Sequence, residues 1–214
     1  MKKALILPAL IVFLFSCNDK KESKSFCDGN CNTNEMSFKG DSKFEQSVSL
    51  LLKDCVGDTL TWTHGKTINR RKIQLAEFME KPIKMNKSAI SCGFQDTSFL
   101  WFSFNDCATG RGYLLKLPYN NNGSILKFSG ALNSFDSKFN IDPDMRAYTD
   151  RGNLYVVNVA SGKDTQMTFK KEYEMDFNDI HKAIDTVSVS KSKMYIKLID
   201  EKGNPKEFEK KIAL

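Results

Sequence analysis

The chain is short of the residues that most enzymes work with. Its 214 residues include two histidines, two tryptophans and five prolines. His64 sits in Thr63-His64-Gly65 at the tip of a turn, and His181 in a short helical stretch. A general base needs a positioned nucleophile and an orienting acid beside it. No G-x-S-x-G elbow or HExxH supplies them. Both histidines are therefore read as ordinary packed or surface residues, the chain as non-enzymatic, and no cofactor or metal is implied. Dominant charge of one sign is missing too. Thirty-two basic residues face 26 acidic ones, and the longest basic cluster is Arg70-Arg71-Lys72. No aromatic-basic stripe accompanies it, which excludes the usual nucleic-acid footprint. Long apolar runs are absent after residue 16.

The one apolar run that exists lies at the N-terminus. Lys2 and Lys3 precede an apolar stretch from Ala4 to Phe15, interrupted by Pro8. Such a stretch suits a secretory signal and is too short for a stable bilayer span. It ends in Leu14-Phe15-Ser16-Cys17. An aliphatic residue, a small residue and then a cysteine resemble the lipobox of bacterial lipoproteins. The larger Phe15 departs from the commonest pattern at its position. The resemblance implies cleavage before Cys17, lipid on its thiol and attachment to a membrane of the cell envelope, with the outer membrane favoured and the leaflet left open. It covers the signal alone and implies nothing about the folded part. Residues 18–25 (NDKKESKS) carry no apolar side chain. They cannot bury enough surface to fold and read as a tether. The expected organisation is a signal peptide over 1–16, a lipidated cysteine and tether over 17–35, and one β-rich domain over 36–214.

Cleavage would leave Cys27, Cys31, Cys55, Cys92 and Cys107 besides the lipidated cysteine. Five is odd, so one thiol is left over, in a compartment where disulfides are the default. Cys92 and Cys107 bracket a hairpin-like unit and are read as a pair. Cys55 is open to pairing with Cys27 or Cys31. Cys27-Asp28-Gly29-Asn30-Cys31 places two thiols four residues apart around a turn. That spacing is not the CxxC of redox and zinc motifs, and no second half-site completes a tetrahedral centre. A structural disulfide role is favoured over a thiol- or metal-handling one, which stays as the alternative function.

Sixteen phenylalanines and many β-branched residues fall in short runs between turns. Residues 46–52, 60–63, 72–78, 98–105, 112–117, 147–149, 153–159, 165–169, 186–189, 194–199 and 207–212 read as strands. Ser98 to Asn105 (SFLWFSFN) is apolar on both faces, which predicts a central, covered strand. Turns at His64, Asp106, Asp150 and Lys191 recur every 41 to 44 residues. That spacing suggests an antiparallel meander of about four units, either a small propeller or a β-sandwich or barrel. One short helix is expected at 178–183, capped by Asp176 or Asn178. Asp142-Pro143-Asp144 and Asp150 could offer oxygen ligands to calcium, yet without the glycine and glutamate of a calcium loop they read as turn caps. Asn120-Asn121-Asn122-Gly123 reads as a loop tip. Trp62, Phe99, Trp101, Phe102 and Phe104 are read as packing residues. The expected function is a membrane-anchored binding or structural module whose partner is an envelope protein or a glycan.

Overall fold

The computed structural model describes residues 34–65, 70–95, 97–169, 183–200 and 202–214. Cys17, Cys27, Cys31, His181, the signal peptide and nearly all of the expected helix at 178–183 lie outside them. Alternation in the sequence becomes sheet directly. In β2 (Ser47–Lys53) Val48, Leu50 and Leu52 are buried while the residues between them are half-buried or exposed. In β3 (Val56–Thr63) Leu60 and Trp62 do the same. These strands pair antiparallel with each other, with β1 (Asn34–Lys39) and with β4 (Arg71–Gln74), in the order β1-β2-β3-β4. β1 begins within the stretch read as tether.

The expected strand over 72–78 divides in two. Its first part is β4, and its second is the one described α-helix, α1 (Leu75–Phe78). Leu-Ala-Glu are good helix formers, and the turn buries Leu75 completely.

The second sheet is a seven-stranded meander in the order β12-β11-β10-β8-β7-β6-β5. Its members are β5 (Ser91–Phe94), β6 (Phe99–Asn105), β7 (Gly112–Pro118), β8 (Leu126–Leu132), β10 (Met145–Asp150), β11 (Asn153–Asn158) and β12 (Asp164–Thr168). The SFLWFSFN run is central and covered, as its composition requires: β6 lies between β5 and β7 and is buried from Leu100 to Asn105. The β10–β11 turn is Arg151-Gly152, both with positive φ (44° and 81°), the primed geometry that suits a two-residue hairpin. The third sheet holds β9 (Phe139–Ile141), β13 (Ile184–Val189), β14 (Lys193–Ile199) and β15 (Pro205–Lys211), antiparallel except where β9 runs parallel to β13.

The fold is therefore almost entirely β and built as layered sheets. The spacing of 41 to 44 residues marks successive hairpin turns and not propeller blades, because strands from residues 91 to 168 join one continuous sheet. Both four-stranded sheets cover the same face of it. Phe102, Phe104, Leu115 and Leu117 pack with Leu50, Leu60 and Trp62 in one core. Met145, Ala147, Leu154 and Val156 pack with Val187, Ile196 and Leu198 in another.

The opposite face curls on itself. Arg146 on β10 reaches Gly93 on β5, where an added Cβ would meet its Nη2 at 2.7 Å. Four strand spacings separate those strands along the sheet, roughly 19 Å if it were flat. Only a curled sheet lets one side chain close that gap, so the Arg146 face is concave. A ladder of rings crosses it: Phe99–Trp101 at 5.6 Å, Trp101–Phe128 at 6.1 Å, Phe128–Tyr148 at 4.2 Å and Tyr148–Tyr155 at 5.0 Å. Lys116 lays its ammonium over Phe99 at 3.8 Å.

A candidate ligand-binding cleft

A cleft of about 610 Å³ opens at one end of this concave face. That volume suits a small organic ligand. Its walls come from β5, β6, β7, β8 and β10 and from the connection that contains β9. The register explains the lining. Ser91 pairs with Ser103 across β5 and β6, and both line the cleft. Leu114, Ala131 and Ile141 supply apolar wall.

Arg146 is the charged group that dominates the site. It alternates with Met145 and Ala147, which point into the core below, so its own side chain stands on the concave face. Nη1 donates to the carbonyls of Pro143 at 2.9 Å and Met145 at 2.8 Å. Nε is buried and has no hydrogen-bond partner. Burial lowers the guanidinium's pKa, and Cys92 and Asp144 partly oppose that. No carboxylate lies within ion-pair distance of it among the described residues.

Cys92 lines the same cleft and carries a free thiol. The sequence paired it with Cys107, and the structure corrects this. Cys92 sits opposite Phe102. Cys107 lies five residues further along, roughly 16 Å at the rise of a strand, far beyond disulfide reach. Cys55 and Cys107 are both disulfide-bonded and almost fully buried. Burial pushes the Cys92 thiol far above its usual range, with Arg146 pulling weakly the other way. The thiol is thus neutral and offers Arg146 no counter-charge.

The remaining sequence candidates fall elsewhere. His64 stacks between Phe44 (5.9 Å) and Tyr119 (4.6 Å) on the first sheet. Asp142 lines the cleft, but its carboxylate accepts the Asp144 N–H at 2.9 Å, which makes it the turn cap the sequence suggested. Asp144 is held by Lys191 at 2.6 Å, which keeps its carboxyl below the usual range. Asp150 lies at the β10–β11 turn, remote from both. The loop at 120–123 is fastened from below: Arg71 Nη1 donates to the carbonyls of Pro118, Asn120 and Gly123. Trp62 Nε1 donates to the same Pro118 carbonyl at 2.9 Å. Among the described residues no three His, Cys, Asp or Glu side chains gather as metal ligands. No described helix is long and apolar enough to cross a membrane.

Arg146 escaped the sequence reading because the strand expected over 147–149 begins two residues earlier, at Met145. The signal was present: Met-Arg-Ala-Tyr-Thr alternates, and an arginine on the Tyr148 side of a strand is worth following. Comparison of the chain with protein-family models, with curated proteins and with solved structures returns no match.

Proposed function

We propose that the chain is a lipid-anchored envelope lipoprotein whose β domain binds a small ligand in the cleft. The cleft carries this reading: a cavity of about 610 Å³ lined by apolar side chains and hydroxyls around one arginine that lacks an ionic partner. The Leu14-Phe15-Ser16-Cys17 motif supports the anchor, and lipidation with two or more acyl chains would hold it stably.

Cysteine bookkeeping supports the same picture. The Met85 N–H donates to the Cys55 carbonyl, and the Cys107 N–H to that of Lys84, each at 2.8 Å. The two cysteines therefore flank one extended segment, two strand spacings or roughly 10 Å apart. That is too far for a bond to each other. With Cys92 free, we assign Cys27 and Cys31 as their partners. Cys17 is left for lipid, and Cys92 becomes the odd thiol. The thiol- or metal-handling alternative loses Cys55 as a third ligand, since that residue is bonded.

Two readouts on the full chain test this. Mature protein should label with palmitate and sediment with membranes, and Cys17→Ser should do neither. Mass mapping without reduction should find Cys55 and Cys107 linked to Cys27 and Cys31. A Cys17→Ser protein that stays lipidated on the membrane contradicts the anchor. Free Cys27 and Cys31 thiols that take up zinc or copper contradict the disulfide assignment and favour the alternative.

A further inference from the structure

Buried polar groups in folded proteins almost always find partners, and a buried guanidinium N–H without one is rare. Arg146 breaks that pattern. Its guanidinium is fixed on one side, where Nη1 holds the Pro143 and Met145 carbonyls. On the other side Nε has no partner, and Nη2 makes no hydrogen bond among the described residues. The unused side is the Nε–Nη2 edge, two parallel N–H groups spaced to donate to both oxygens of a carboxylate.

The surroundings do not satisfy this edge. Asp144 is engaged by Lys191. Asp142 is engaged by the Asp144 N–H and also lies in the field of Lys191. The thiol of Cys92 is protonated in this environment. Gly93 is what makes room: a Cβ there would meet Nη2 at 2.7 Å and both Val159 γ-carbons at 3.1 Å. A side chain on that residue would push the guanidinium out of its seat. Arg146 is the one cationic side chain in the cleft's lining among the described residues, beside the apolar Leu114, Ala131 and Ile141.

We infer that the cleft binds a small carboxylate, its two oxygens on the Nε–Nη2 edge of Arg146 and its apolar body against Leu114 and Ile141. This deepens the cleft reading given above and rests on it. Ser91 and Ser103, neighbours across β5 and β6, stand in the same wall for a hydroxyl or carbonyl on the ligand.

The test compares benzoate with benzamide, which share shape and size and differ in charge. Full-length protein labelled with ¹⁵N is titrated with each, and the Arg146 Nε–H resonance, absent from Arg146→Lys, is followed. Benzoate should shift it saturably and bind on the order of tenfold or more tighter than benzamide, the difference a charge-assisted pair makes. Arg146→Lys keeps the charge without the fork, and Gly93→Ala displaces the fork. Both should lose that preference while their backbone amide spectra stay those of a folded protein. Equal binding of the two probes overturns the carboxylate assignment and leaves the cleft as a site. Inorganic phosphate competing more strongly than benzoate also overturns it. No shift with either probe overturns the carboxylate assignment and the cleft reading together.

Discussion

Single residues on the concave face show what burial does to ionisable groups. Tyr148 stacks on Tyr155 at 5.0 Å and on Phe128 at 4.2 Å. Burial, then the neighbouring Tyr155, Asp164 and Asp150, push its phenol up to about 12. In the unfolded chain the same phenol ionises near 10. Between those values the unfolded chain releases a proton that the fold retains, so stability falls as pH rises through that window and is unaffected below it. An absorbance titration of the folded protein should show a late tyrosine phase near pH 12, missing from Tyr148→Phe. A Tyr148→Phe protein that keeps the late phase would contradict the assignment. Tyr148 was visible in the sequence as an aromatic in a short run. Its partners were not, because they come from β8 and β11 and depend on register. Arg146 is the sharper case: charge is legible in a sequence, but an unpaired charge is a property of everything around it.

At the scale of elements, most strands followed from local pattern. Val48, Leu50 and Leu52 alternate in β2, Leu60 and Trp62 in β3, and β6 declared itself by having no polar face. Misreadings came where two signals competed. Leu75 continues the alternation of Ile73 in β4, yet helix propensity and the burial of Leu75 turn the chain there. The 41-to-44-residue turn spacing was real and its meaning was not local, since the same hairpins can form blades or one long meander. The join between them depends on close backbone approach. A Cβ on Gly112 in β7 would overlap the Ala131 carbonyl oxygen of β8. Neither atom can move without breaking the ladder that continues the sheet toward β10. Gly112→Ala should therefore cost about 2 kcal/mol or more in denaturant unfolding, in the range of forced overpacking. Gly162→Ala, at a hairpin turn with nothing within 4 Å but a φ of +68°, should cost about 1 kcal/mol from backbone strain alone. Equal losses at the two sites would mean that the β7–β8 approach is not tight.

The whole molecule joins two four-stranded sheets to one face of a curled seven-stranded sheet and leaves the other face for a ring ladder and a cleft. All-β architecture was legible from composition and turn spacing. The curl was not, because it is fixed by contacts such as that of Arg146 with Gly93, which are 53 residues apart in sequence. The Leu14-Phe15-Ser16-Cys17 motif and the six cysteines were legible from the start, and the structure adds that Cys92 carries a free thiol. The central claim is that the cleft is a ligand site organised by Arg146. A crystal structure of the protein grown with benzoate tests it most directly. The account expects the carboxylate oxygens about 2.8 Å from Arg146 Nε and Nη2, with the ring between Leu114 and Ile141. A cleft filled by the chain's own side chains, or benzoate bound only elsewhere, would contradict it.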